Sequence, residues 1–94
     1  MDDYGMILDV NSFQREALKY RDDGLVTSEQ VLNELLKADE QVARALSMVR
    51  ESMFCGHELD KQEASFRVGR AIRSLAVATW FLGHDLDTVL QKSV

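Results

Sequence analysis

Residues 27–57, TSEQVLNELLKADEQVARALSMVRESMFCGH, decide the fold. Val31, Leu35, Val42, Leu46, Val49 and Met53, joined by Leu32, Ala38 and Ala45, recur at helical spacing and make one apolar stripe. Lys37, Gln41, Arg44, Ser47 and Glu51 run along another side at steps of three or four. Thr27 and Gln30 stand at the spacing of a capping box. Cys55-Gly56-His57 then stops the segment, since glycine accommodates the left-handed conformation that ends helices. The stretch predicts one long helix over about residues 28–54.

A second long helix is predicted on the far side of that turn, from Asp60, with Glu63 three residues on as a capping-box analogue, to Leu82 before Gly83. Ala64, Val68, Ala71, Ile72, Leu75, Ala76, Ala78, Thr79 and Leu82 are its expected packing residues. Glu63, Arg67, Arg70 and Ser74 form its polar stripe. Upstream, NSFQREALKY (residues 11–20) predicts a short helix over residues 12–22, capped by Asn11 or Ser12 and ended by Gly24. Phe13, Ala17 and Tyr20 share one of its faces. Downstream, Asp85 is placed to cap a short final helix running to about Lys92, with acid at its start and lysine at its end as the helix dipole favours. The expected fold is all-α: two long antiparallel helices flanked by two short ones. Residues 1–10 form an N-terminal arm and residues 11–94 a single helical domain.

Composition supports this reading. The chain has 94 residues, no proline, 5 glycines and 46% hydrophobic residues, which argues against all-β, collagen-like and disordered chains. No stretch approaches the ~20 apolar residues of a membrane span. The net charge of −5 disfavours non-specific nucleic-acid binding. That charge is uneven: residues 1–40 hold ten acids against four bases, and residues 41–94 hold six acids against seven bases. A single cysteine, Cys55, and an N-terminus without a basic n-region suit a reducing cytoplasm.

One copy of such a bundle has little room for its large apolar residues. Met48, Met53, Phe54, Phe66, Trp80 and Phe81 do not all fit the inner faces of two long helices. The last five are the expected interface of a homodimer or homotetramer.

The segment FCGHELDKQEASFRVGRAIRSLAVATWFLGHDLDTVL, residues 54–90, resembles the MazG-like nucleotide pyrophosphohydrolases of the short phage and mobile-element type. The likeness rests on Phe54, Gly56, His57, Leu59 and Asp60, then Val68-Gly69-Arg70, Leu75-Ala76, and Leu82, Gly83 and Leu86, with the opening helix over residues 11–20 added. The resemblance implies a helical bundle and a site where Mg²⁺, held by paired carboxylates on two long helices, assists cleavage between the α- and β-phosphates of a nucleoside triphosphate.

The expected ligand positions depart from that pattern. In ungapped register they fall on Gln41, Arg44, Arg67 and Arg70, one amide and three guanidiniums. A guanidinium has no lone pair to offer a metal and stays protonated. The implied expectation is a protein with no catalytic residues, no metal and no cofactor. Guanidinium forks do bind phosphate directly, so Gln41, Arg44, Arg67, Arg70 and Arg73 are candidates for holding a nucleotide or another phosphate anion. The competing account makes these arginines partners of Glu40, Glu51 and Glu63, with Glu63 and Arg67 well placed at i, i+4.

Other chemistry is weaker. His57 and His84 lack partners at zinc-ligand spacing. Cys55 beside His57 crosses a turn, and Trp80-Phe81 fits an apolar interface better than a base-stacking platform. The reading is a catalytically inactive MazG-like oligomeric binding module. Its alternatives are an active hydrolase with relocated carboxylates (Asp39, Glu40, Glu63) and an unrelated helical partner-binding protein.

Overall fold

A computed structural model describes residues 9–21 and 24–94 of the chain. Every regular element in them is helical: α1 (Val10–Ala17), continued by a 3-10 turn at Leu18–Tyr20, α2 (Thr27–Cys55), α3 (Lys61–Phe81) and α4 (Leu86–Lys92). The two long helices, α2 and α3, pack together as an antiparallel hairpin, and α1 lies against α3 and α4.

The boundaries follow from local chemistry. Asp60 caps α3 by accepting the Glu63 backbone N–H at 3.0 Å, a contact worth about 1 kcal/mol in such positions. Asp85 does the same for α4, with Thr88 donating from its backbone at 3.2 Å. Gly56 closes α2 in the left-handed region at φ 74°, which a side chain would resist. At the start of α2 the capping device is one-sided. Glu29 reaches back to accept the Val26 N–H at 3.1 Å, and Val26 has no side-chain oxygen to return the bond.

The first helix begins earlier than its sequence suggests. Asp9 is the cap, accepting the Ser12 N–H at 2.7 Å, and the helix proper ends at Ala17 rather than extending to residue 22. This frees Asn11 for a longer-range task. Its amide donates to the Asp85 carboxylate at 3.2 Å, and its carbonyl oxygen accepts the Asp87 N–H at 3.0 Å. Gln14, one turn on and almost fully buried, donates to the Ala76 and His84 carbonyls at 3.0 and 3.3 Å and accepts the Leu86 N–H at 3.0 Å. Two amide side chains thus bolt α1 to the junction of α3 and α4. Residues 1–8 of the expected arm, with residues 22 and 23, lie outside the described residues.

Among the described residues, the hydrophobic residues buried in this fold are small, and Gln14, Gln30, Glu34 and Ser74 are buried beside them. The core consists of Ala17, Ala38, Ala45, Ala71, Ala76, Val77 and Ala78. On α2, Glu34, Ala38, Gln41, Ala45 and Met48 recur in steps of three and four; on α3, Ala64, Arg67, Ala71, Ser74 and Ala78 do the same. These two rows are buried or half-buried and face each other. Alanines in both let the helix backbones approach closely. Behind α3, Ala17, Ala76 and Val77 form a cluster with Phe13, Leu18, Phe81 and Leu86 packed on it.

Candidate functional site

Two features of the hairpin invite a functional reading. The first is the position of the arginines. Arg67, four residues before Ala71 on the inner row of α3, reaches across to α2, where its Nη1 donates to Gln41 Oε1 at 3.3 Å. Its Nε lies 3.0 Å from the Glu63 carboxylate, without the alignment a hydrogen bond needs. Arg44, on the neighbouring turn of α2, donates to Glu40 at 3.0 Å. Arg44 and Arg67 line one shallow cavity of about 320 Å³ together with Glu40, Ala43, Ser47 and Met48. Three of the five candidate anion-binding residues, Gln41, Arg44 and Arg67, therefore gather at one place between the long helices.

The other two are elsewhere. Arg70 is exposed on α3. Arg73 stacks its guanidinium 4.6 Å from the centre of the Tyr20 ring, the contact of a cation with an aromatic face. Within the cavity each guanidinium already has a carboxylate on its own helix one turn away, Glu40 for Arg44 and Glu63 for Arg67. Such exposed or half-exposed pairs contribute little to stability, but they neutralise most of the local positive charge.

The fit to Mg²⁺ is poor. A hard cation needs oxygen ligands, several of them anionic, and the positions the resemblance singles out offer one amide oxygen. Among the described residues, no group of three or more His, Cys, Asp and Glu side chains comes together as metal ligands. Asp39 stands on the opposite side of Ala38 from the cavity and is exposed, so the relocated set Asp39, Glu40 and Glu63 does not assemble.

The second feature is a large apolar face. One position along from each inner row runs an outer one. On α2 it is Leu32, Leu35, Asp39, Val42, Leu46, Val49 and Met53, an unbroken alternation of three- and four-residue steps; on α3 it is Ser65, Val68, Ile72, Leu75, Thr79 and Leu82. That alternation is the heptad spacing of helix-packing seams. Because the helices are antiparallel and both outer rows turn the same way from their inner rows, the two lie on one side of the hairpin. The helix α1 covers the other side of α3, where Ala76 and Val77 face it. The outer rows stay in water: Leu32 is 60% exposed, Met53 69% and Leu82 62%, and Leu35, Val42, Leu46, Val68, Ile72 and Leu75 are each more than two-fifths exposed. Thr79 turns its hydroxyl back to the Leu75 carbonyl at 2.8 Å, which hides its polar atom from this face.

The expected interface residues divide accordingly. Met53 belongs to this face. Phe54, Phe66 and Trp80 are exposed but fall off the outer rows by their spacing. Phe81 is half-buried against the internal cluster behind α3. The heptad alternation was present in the sequence, but α2 carries apolar residues in both of its rows, so the two merged into one broad stripe. No helix is long and apolar enough to cross a membrane among the described residues. No protein-family model, curated protein or solved structure matches this chain.

Proposed function

We propose that this chain is a MazG-like helical protein that has lost the metal chemistry of that family and acts as an oligomeric binding module. The observation that carries the reading is the contact between Gln41 and Arg67. These two positions are where the resemblance expects carboxylates on opposite helices, and they do meet across the hairpin. An amide and a guanidinium joined by a hydrogen bond fill that place, and no divalent cation is accommodated between them. The apolar face on α2 and α3 supports the oligomeric part of the reading. A patch of large aliphatic side chains of this extent on a small protein marks an interaction surface.

Two measurements test it. Pyrophosphate release from a panel of nucleoside triphosphates with Mg²⁺ or Mn²⁺ should stay at the uncatalysed level, and metal-dependent turnover would overturn the reading. Sedimentation should give a species at twice or more the 10.7 kDa chain mass.

The cavity at Arg44 and Arg67 favours a second role, direct contact with a phosphate anion. Ser47 adds a hydroxyl beside the two guanidiniums, and a phosphate entering there would compete with Glu40 and Glu63 for them. Thermal-shift titration with inorganic phosphate and nucleotides should stabilise the protein, and Arg67→Ala should abolish the effect. A shift indifferent to that substitution leaves the arginines as ion-pair partners alone.

A further inference from the structure

We propose that the apolar face of the hairpin closes against a second copy of this chain, with α2 lying antiparallel on α2 of the second copy. Asp39 of each copy then pairs with Arg50 of the other. The inference rests on the oligomeric reading above and adds the partner, the orientation and the register.

The argument begins with the seam itself. In an antiparallel pair, the alternating positions of one helix meet those of the other in layers. On α2 such layers form about a centre at position 44: Val42 meets Leu46 of the second copy, and Leu35 meets Met53. Aliphatic side chains fill both layers. The same operation on α3 centres between Arg73 and Ser74 and joins Ile72 to Leu75. A single two-fold axis must serve both helices, so the two centres must lie at one height in the hairpin. They do. Position 44 is twelve residues before Gly56, and the α3 centre is thirteen to fourteen after Asp60, the two ends of the turn.

Charge then selects this arrangement. Asp39 is the one acidic or basic residue in the outer rows. In this register it meets Val49 of the second copy and sits beside Arg50, which flanks the seam. Among the described residues neither Asp39 nor Arg50 has an ion pair within its own chain. The symmetry makes the contact twice. The opposite arrangement, with the axis along the helices and α2 facing α3, sets Asp39 level with Thr79; Arg73, the cation that flanks this row as Arg50 flanks that of α2, stands six positions away and stacks on Tyr20. The extent agrees as well: ten aliphatic side chains of the outer rows are each more than a third exposed, and a standard specific interface takes about 800 Å² per partner.

The single cysteine supplies the test without any substitution. Cys55 is exposed at the last position of α2, and a nitroxide attached to it reports the distance between copies. With α2 antiparallel about position 44, the two labels lie about 33 Å apart along the helix direction, from a rise of about 1.5 Å per residue. With the axis along the helices they share one end and lie within roughly 20 Å, since neighbouring helices pack about 8–10 Å apart. A pulsed dipolar measurement on the labelled protein should give the long distance. A short distance in a protein that sediments as a dimer overturns this register and leaves the oligomeric reading standing. A monomer by sedimentation and the absence of dipolar coupling at tens of micromolar overturn both. As a second arm, Arg50→Asp should weaken dimerisation at least tenfold, and Asp39→Arg added to it should restore most of the loss. Failure of that rescue overturns the Asp39–Arg50 pairing.

Discussion

Gln14 Nε2 donates to the Ala76 carbonyl at 3.0 Å, joining residues 62 positions apart in the chain. The carbonyl it satisfies lies inside a helix whose own ladder already uses it, so the amide serves as a bolt rather than a cap. The same side chain closes the turn between α3 and α4 through His84 and Leu86. Replacing Gln14 by leucine should cost about 1–3 kcal/mol, because the part-buried His84 carbonyl and Leu86 N–H lose their partner while the Ala76 carbonyl keeps its ladder bond. Gln14→Glu keeps the acceptor for the Leu86 N–H, loses both donated bonds and buries a charge. Its destabilisation should be larger at neutral pH than near pH 4, as judged by denaturant titration at the two pH values.

Two helix caps make stability sensitive to acid. The Asp85 carboxyl is held below its ordinary value of 3.8, first by the Thr88 hydroxyl, then by the Thr88 N–H and Asn11. Asp9 is lowered in the same sense, chiefly by the Ser12 N–H. A carboxyl depressed in the folded state adds stability that is fully present above its unfolded value and is lost as pH falls through the folded one. The melting temperature should therefore decline below about pH 3.8. Asp85→Asn, which still caps but cannot ionise, should make that decline shallower in thermal melts followed by circular dichroism.

The proposed dimer ties stability to concentration. A protein whose folded form gains partners melts higher as its concentration rises, and the wild-type melting temperature should climb with each tenfold increase. Leu46→Asp places a carboxylate at the middle of the face in both copies. It should raise the dissociation constant on the order of 100-fold, about 2.8 kcal/mol, and remove the concentration dependence. Sedimentation velocity alongside the melts would show both effects.

The alanine rows predict an asymmetry between the two sides of α3. Ala71 is 3% exposed on the row facing α2, and Ala71→Leu should cost about 1–3 kcal/mol through overpacking. For a domain of this size each kcal/mol lowers the melting temperature by about 4–8 °C. Substituting the exposed Ile72 by leucine, one position along, should shift it by far less.

The family register can be tested by restoring carboxylates. A variant with Gln41→Glu, Arg44→Glu, Arg67→Glu and Arg70→Asp should be stabilised by Mg²⁺ by several degrees, while the wild type is indifferent. A variant that folds and does not respond to metal would show that these positions do not form a cation site.

Much of the architecture was legible because its signals are local. Asp60 with Glu63, Gly56, and Asp85 each act within one helical turn, and each lies where its spacing suggested. The pair between Glu63 and Arg67 was readable for the same reason. Asp9 and Gln14 were not. An acid before a polar run competes with Asn11 and Ser12 for the capping role, and only the α4 contacts of Asn11 decide the matter. A glutamine on a short helix reads as a surface residue until its partners, some 60 to 70 positions away, are brought to it. The gathering of Gln41, Arg44 and Arg67 likewise depends on how two helices pair. Arg73 lies outside the four register positions, and only the fold places it on Tyr20.

The outer rows also bear on the fate of the chain in a cell. Because the outer rows of α2 and α3 present aliphatic side chains to water, a dimer of the proposed kind would shield the hairpin from the local opening that exposes backbone to proteases. In such a dimer, chains that meet a second copy would outlast those that do not. The level of the protein would then rise more steeply than its rate of synthesis, a threshold set by the packing of two helices.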